Sequence, residues 1–226
     1  MSILNTILNL IFPVNCLSCK KSGEILCLDC ISSFPIAERE TVKWIFALYD
    51  YRHPPIKKAI SLLKYKGKRQ LAEIFAENLY GKINEELTDL SIFENFREPI
   101  LIPIPLSKKR TNERGFNQAE LICKYLIKLN KKNNQSNNIR HGVYWELVNN
   151  VLIKTKETEH QALIRDRNKR LQNLIGTFGI INEAKIKNRN IILIDDVTTT
   201  GATLNEARKI LKQYGAKKVI AFSVAH

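Results

Sequence analysis

The sequence contains no apolar run that approaches the roughly 20 residues needed to span a membrane. Its opening stretch, MSILNTILNLIFPVN, is apolar but has no Lys or Arg in front of it and no small-residue cleavage site, so a secretory signal is not predicted. We predict instead a short amphipathic helix that ends before Pro13 and packs on the protein's own surface, with peripheral membrane contact as the alternative. No internal repeat is found. These absences favour a cytoplasmic protein without a transmembrane segment.

Acidic residues are also in short supply. The chain has 36 Lys and Arg against 22 Asp and Glu, for a net charge of +14. Such an excess favours a polyanionic partner, either nucleic acid, a phosphorylated substrate or an anionic lipid, although a generally basic proteome would give the same composition. The 226 residues, of which 44% are hydrophobic, suffice for one sizeable domain plus a small appendage and exclude a disordered chain.

Cysteine is scarce as well, but its placement is informative, because CLSC holds Cys16 and Cys19 and CLDC holds Cys27 and Cys30. Each pair lets two thiolates reach one tetrahedral ion, and two such pairs complete a four-cysteine structural zinc site. A disulfide pairing is the alternative, which is disfavoured because cytosolic disulfides are rare and nothing indicates secretion. Cys123 lies alone in the apolar pattern AELICKYLIKL and is predicted to be buried in a helix.

The rest of the chain alternates between strand and helix patterns, which predicts an α/β fold with a mostly parallel central sheet flanked by helices. Strands are predicted at 44–52, 98–106, 143–154, 188–196 and 217–226, and helices on either side of Gly67 and at 119–132, 159–178 and 202–216. Residues 107–118 are predicted to form a basic loop and residues 130–138 a surface loop or hairpin tip. We divide the chain into residues 1–38, with the first helix and the cysteines, and residues 39–226, the α/β domain.

The stretch IILIDDVTTTGAT, residues 191–203, places two carboxylates at the end of an apolar strand and before a hydroxyl-rich turn. Ligands of parallel α/β folds bind beyond the carboxyl ends of the strands, where Asp195 and Asp196 fall. Carboxylates accept hydrogen bonds from the vicinal hydroxyls of a ribose. The turn 197–203, opening a helix at Leu204, can surround a phosphate with backbone N–H groups and threonine hydroxyls. The pattern therefore predicts a site for a ribose 5-phosphate, with an ordinary capped helix as the alternative.

These residues resemble the phosphoribosyl pyrophosphate motif of type I phosphoribosyltransferases, which joins a hydrophobic strand, two acids and a threonine–glycine loop. Nearly the whole chain is similar to the ComF/ComFC family, through CLSC…CLDC, YKGKRQLA, IPIPLSKKRTNERGFNQAELI, KETEHQ, RLQNLIGTF and the closing motif. Members of that family act in bacterial DNA uptake and combine an N-terminal zinc finger with a phosphoribosyltransferase domain. The resemblance implies the type I phosphoribosyltransferase fold behind a four-cysteine zinc finger.

Position by position, the resemblance implies a phosphoribosyl pyrophosphate site. Asp195 and Asp196 become ribose-binding and, with Arg110, catalytic; Arg110 and Arg114 contact the pyrophosphate, and Lys66 is a further cationic contact. Thr199, Thr200, Gly201 and Thr203 hold the 5-phosphate within a ligand-binding loop of Val197, Thr198, Thr199, Thr200, Gly201, Ala202 and Thr203. Mg²⁺ is expected to bind together with the ligand, because it prefers oxygen ligands and substrate phosphates to a dedicated protein cage.

The sequence departs from the family pattern at Thr177, in the spacing from Gln161 to Arg170 and around residues 133–138. These departures lie outside the phosphoribosyl motif. They affect the 158–178 helices, which in this fold would form part of a hood over the substrate.

Two function classes follow. The favoured one is a ComFC-like competence protein that acts in DNA uptake and binds phosphoribosyl pyrophosphate together with Mg²⁺. Its further partners would be single-stranded DNA and other DNA-uptake proteins. Residues 103–132 carry eight Lys and Arg against two Glu, and Phe116 and Tyr125 lie among them for stacking on bases, although a solvated basic helix face is the alternative. The other class is a salvage enzyme that transfers ribose 5-phosphate to a nucleobase-like acceptor. Whether the protein turns over a substrate is left open.

Overall fold

The computed structural model describes residues 14–38, 42–136, 144–155 and 176–226. The predicted helix before Pro13 and most of the predicted 159–178 helix lie outside these ranges. Within them, no helix has both the length and the apolar character needed to cross a membrane. The helices are α1 (Leu28–Ser32), α2 (Pro54–Lys66), α3 (Gln70–Glu94), α4 (Lys108–Arg114), α5 (Gln118–Ser136) and α6 (Ala202–Gln213), with a 3-10 turn at Glu183–Lys185.

A five-stranded sheet forms the centre of the described structure, and all its paired strands are parallel. Its order is β1-β7-β6-β2-β3, from β1 (Ile45–Tyr49), β2 (Ile100–Pro103), β3 (Glu146–Leu147), β6 (Asn190–Val197) and β7 (Lys218–Ala225). A separate antiparallel pair joins β4 (Leu152–Lys154) to β5 (Phe178–Ile180). The predicted mostly parallel sheet is confirmed.

Buried aliphatic residues explain why β6 lies at the centre of the sheet. Ile191, Ile192, Leu193 and Ile194 have no exposed side-chain surface, and they contribute alternately to two core clusters on opposite faces. A strand covered on both faces is expected to be continuously apolar. The pairing of β6 with β2 brings Pro103 beside Ile194, so the segment after β2 and the acids after Ile194 meet at one edge of the sheet.

The cysteine-containing segment packs into the main core. Ile25, Leu26, Ile31 and Phe34 are buried in the same cluster as the α2 and α3 side chains. The ring of Phe34 also packs on the ring of His53, the residue just before α2, with the two ring centroids 4.5 Å apart. The boundary at residue 38 stays a prediction, but the described parts on its two sides share one apolar core.

Residues 107–118 are not simply a loop, because α4 occupies Lys108–Arg114. The Ser107 hydroxyl accepts a hydrogen bond from the Arg110 N–H at 3.4 Å, and Gly115 ends the helix with a φ of 73°. Serine before a helix and glycine after it are ordinary capping residues. The prediction missed the helix because α4 has no buried residue and therefore no apolar periodicity.

The expected loop at 130–138 is wrong over its described part, because α5 runs on to Ser136. Asn130 and Asn134 are buried, and the Asn130 side-chain oxygen accepts a hydrogen bond from the Trp145 N–H at 3.1 Å. Buried amides with partners are compatible with a helix interior, which composition alone does not reveal.

The prediction of a single strand over 143–154 is also wrong. The described part of this segment forms two short strands, β3 and β4, which belong to different sheets. The break at the two asparagines, Asn149 and Asn150, redirects the chain.

Candidate functional site

Asp195 and Asp196 precede Val197, the last residue of β6, at the carboxyl edge of the sheet. The Asp196 N–H donates a hydrogen bond to Asp195 Oδ1 at 2.8 Å, which fixes the first carboxylate against the backbone. The Asp196 carboxylate forms an ion pair with Lys64 of α2, whose Nζ lies 2.7 Å from Asp196 Oδ1. The two acids therefore lie side by side but in different surroundings.

The surroundings of Asp195 disfavour its charged form. Burial, followed by the negative charge of Asp196, raises the pKa of Asp195 to about 7, and the positive charge of Lys64 opposes the increase only in part. Near neutral pH this carboxyl therefore exchanges between an acceptor-only carboxylate and a protonated form that can donate.

The loop after the acids is held by the strand beside it and leads into α6. The Thr198 N–H donates to the Ala225 carbonyl at 2.9 Å, and the His226 ring Nε2 lies 2.7 Å from the Thr199 carbonyl oxygen. Gly201 has a φ of 68°, and an added Cβ would lie 3.0 Å from Ile45 Cδ1. Position 201 therefore favours glycine through its positive φ, and a larger residue would also have to displace the end of the Ile45 side chain. The helix begins at Ala202, as in the predicted 202–216 helix, so the turn ends at Gly201 and not at the predicted Thr203.

A cavity of about 360 Å³ opens above the acids. Of the predicted residues, it is lined by Asp195, Asp196, Val197, Thr199, Thr203, Arg110 and Arg114. The Ile104 N–H donates to the Ile194 carbonyl at 2.9 Å, which places the segment carrying the arginines beside the acids. Arg114 is held by a 2.9 Å hydrogen bond to the Gln118 side-chain oxygen and lies 5.2 Å from the centre of the Tyr65 ring.

The other predicted residues do not line this cavity. Thr198, Thr200, Gly201 and Ala202 shape the loop behind it, and the Thr200 hydroxyl accepts a 3.4 Å hydrogen bond from the Ala202 N–H. Lys66 is exposed and lies outside the lining, whereas Lys64 lies within it. Two residues along a helix correspond to about 200° of rotation, so these lysines point in nearly opposite directions.

Sequence reasoning missed the other lining residues, which are the apolar Ile104, Pro105 and Leu106 and the four polar residues Tyr51, Lys64, Tyr65 and Lys154. The sequence offered a signal for two of them, because Lys64 and Tyr65 precede the helix break at Gly67 next to the singled-out Lys66. Tyr51 and Lys154 come from distant segments, and we find no local pattern that marks them.

The four paired cysteines form a compact cluster. Their Sγ atoms all lie within 4.8 Å of one another, and the Cys19 and Cys27 sulfurs are 3.6 Å apart. A tetrahedral zinc–thiolate site needs sulfur separations of about 3.8 Å, so the ligand set and its spacing fit a structural zinc ion. Burial opposes ionisation of Cys16, but backbone hydrogen bonds, led by the Cys27 N–H, lower the pKa of this thiol to about 6. None of the cysteines forms a disulfide, and Cys123 is buried in α5 as predicted.

The basic segment presents lysines but not the predicted aromatic platforms. Lys108 and Lys109 are exposed on α4. Phe116 lies under Arg69, with the guanidinium carbon 4.9 Å from the ring centre, and Tyr125 is half-buried against the core. These two rings are therefore engaged within the protein.

A sequence model of the phosphoribosyl transferase domain matches residues 153–226. The competence protein ComFC of Bacillus subtilis is 27% identical over 209 residues, which is 90% of this chain and 73% of that protein. ComFC of Streptococcus pneumoniae is 28% identical, over 93% of this chain and 80% of its own length. The chain is a homologue of the ComF and ComFC proteins.

Two further matches add detail. Competence protein F of Haemophilus influenzae is 31% identical over 126 residues, 55% of this chain and 49% of that protein. Among solved structures, a hypoxanthine phosphoribosyltransferase from Staphylococcus aureus matches 67% of this chain and 62% of its own length, at 12% identity and with a TM-score of 0.35. The matched domain and the parallel sheet together give the type I phosphoribosyltransferase fold, with a four-cysteine cluster in front of it.

Proposed function

We propose that the cavity above Asp195 and Asp196 binds phosphoribosyl pyrophosphate together with Mg²⁺. One observation carries this proposal: paired acids, a loop entering a helix N-terminus and two arginines line one cavity at the carboxyl edge of a parallel sheet. Each group matches one part of the ligand. The acids accept hydrogen bonds from ribose hydroxyls, the loop and α6 suit the 5-phosphate, and the arginines suit the diphosphate.

The charges in the cavity suit release of the diphosphate as well as binding. Cleavage of the bond between the anomeric carbon and oxygen builds positive charge on the ribose and negative charge on the departing diphosphate. Arg110 and Arg114 are placed to stabilise the latter. Mg²⁺, when bound with the ligand, would neutralise further charge on the diphosphate oxygens. Transfer to a nucleobase-like acceptor is therefore the second candidate function, favoured by the presence of both acids and cations in one cavity.

The cellular role that we propose is DNA uptake, as in the competence proteins to which the chain is homologous. Single-stranded DNA would bind through its phosphates to the exposed lysines of α4 and α5. These include Lys108, Lys109, Lys124, Lys128, Lys131 and Lys132. The net charge of +14 supports a polyanionic partner, and the engaged Phe116 and Tyr125 leave phosphate contacts as the main source of affinity.

Titration calorimetry with phosphoribosyl pyrophosphate, with and without Mg²⁺, tests the ligand. We expect binding that requires Mg²⁺ and is lost when Asp195 and Asp196 are both replaced by alanine. Tight binding by this double variant would contradict the ribose assignment. Release of pyrophosphate on adding a free base would establish the transfer reaction.

Single-stranded DNA binding is tested by its dependence on salt. Replacing Lys108 and Lys109 with alanine should lower affinity for all sequences alike and reduce the slope of log K against log salt by about 1.4, at about 0.7 per phosphate contact. Lys57→Ala with Lys58→Ala removes the same charge from an exposed pair on α2 and serves as the control. Equal effects of the two pairs would contradict a site on α4.

A further inference from the structure

Lys64 makes a contact that phosphoribosyl pyrophosphate would have to disturb. Its ammonium lies 2.7 Å from Asp196 Oδ1, and the two side chains are only 17% and 12% exposed. Asp196 is one of the two acids assigned to the ribose hydroxyls, so this protein holds a cation on the group that is meant to accept the sugar. Lys64 also lines the same cavity as Arg110 and Arg114.

The ion pair has a predictable effect on ligand binding. A carboxylate has two oxygens and can accept several hydrogen bonds, but a ribose seated on Asp196 competes with an ammonium already in contact with it. A partly buried lysine that loses its counter-ion is strongly disfavoured unless another anion replaces it. The diphosphate of the ligand is such an anion, whereas ribose 5-phosphate, which lacks the diphosphate, offers none at that position.

Two of the other cations near Lys64 are less able to change partners. Arg114 is held between the Gln118 oxygen and the Tyr65 ring. Lys66 is exposed and outside the cavity. Lys64 combines a flexible four-carbon stem with a compact charge, and it projects from the last turn of α2 beside both ligand subsites.

We propose, on the basis of the function proposed above, that Lys64 is a ligand-binding residue that exchanges Asp196 for the diphosphate when phosphoribosyl pyrophosphate binds. The ribose hydroxyls take the acceptor positions that the ammonium leaves, and the ammonium contacts the diphosphate oxygens. The exchange makes the site selective for a ribose 5-phosphate that carries a diphosphate over one that does not.

Calorimetry on Lys64→Met with two ligands, at pH 8 and with Mg²⁺, tests the exchange. We expect affinity for phosphoribosyl pyrophosphate to fall at least tenfold, because the diphosphate loses a cation. Affinity for ribose 5-phosphate should stay the same or increase, because Asp196 no longer has to release an ion pair. Lys58→Met removes the same charge from an exposed position of the same helix outside the cavity and should change neither affinity by more than about twofold, as expected of a screened surface charge.

Two conservative variants keep the test decisive. Lys64→Arg retains the charge and should recover most of the affinity for phosphoribosyl pyrophosphate. Lys64→Gln, which still offers Asp196 a donor, replaces Lys64→Met if that variant does not fold.

Each other outcome has a defined meaning. If Lys64→Met lowers the affinity for both ligands equally, Lys64 only neutralises Asp196. If the affinity for neither ligand falls, Lys64 does not contact the diphosphate. Both results overturn the exchange while leaving the proposed function intact. Failure of the unmodified protein to bind either ligand would overturn the proposed function and the exchange together.

Discussion

Replacing Asp195 with asparagine should stabilise the fold and weaken ligand binding at the same time. Asparagine keeps the shape of the side chain and the oxygen that accepts the Asp196 N–H at 2.8 Å. It removes a negative charge that burial and Asp196 make unfavourable, since these raise the pKa of Asp195 from 3.8 to about 7. The ion pair between Asp196 and Lys64 is left in place.

The size and the pH dependence of the effect follow from proton linkage. Between pH 4 and 7 the unfolded chain loses the Asp195 proton while the folded protein retains it, so ionisation increasingly favours the unfolded state. One unit of pKa difference corresponds to about 1.4 kcal/mol, which sets an upper bound of about 4 kcal/mol for the full shift. We expect Asp195→Asn to increase the free energy of unfolding by about 1–3 kcal/mol at pH 8, by less at pH 5.5 and by almost nothing near pH 4.

Urea unfolding of both proteins at several pH values measures this difference. Other titrations, including those of the cysteines, occur in both proteins and cancel in the comparison. In parallel, affinity of the unmodified protein for phosphoribosyl pyrophosphate should rise as pH passes through about 7, as Asp195 becomes a full acceptor, and the variant should lack this component. A variant that is less stable at pH 8, or whose advantage does not depend on pH, would refute the reasoning.

Three further predictions concern the rest of the fold. Chelation of zinc should lower the midpoint of thermal unfolding of the whole chain, and Cys27→Ser should do the same, because the cysteine segment shares the main core. A separate early transition in calorimetry would contradict this. Gly201→Val should cost about 1–3 kcal/mol in urea unfolding and weaken ligand binding, through its positive φ and contact with Ile45; unchanged stability would disprove the strain. Asn130→Leu should cost about 1–3 kcal/mol by leaving the buried Trp145 N–H without its acceptor, and a neutral result would mean that water replaces it.

The sequence alone determined those features whose residues are close together in the chain. The cysteine pairs, the acids with the threonine–glycine loop and the alternation of strands with helices all follow from local spacing, because local spacing fixes local geometry. The cysteine cluster and the parallel sheet were confirmed on this basis. Capping by Ser107 and Gly115 was equally local and readable, but without apolar periodicity α4 was missed.

Only the tertiary structure decided which distant residues meet. The pairing of β2 with β6 places Arg110 and Arg114 beside the acids, and strand order depends on how whole faces pack rather than on any local pattern. The rotation of α2 about its own axis places Lys64, and not Lys66, at the cavity. That rotation is set by the apolar face that the helix packs against the core. Packing likewise turned Asn130 from an expected loop residue into a buried acceptor, since its partner, Trp145, lies beyond the end of the helix.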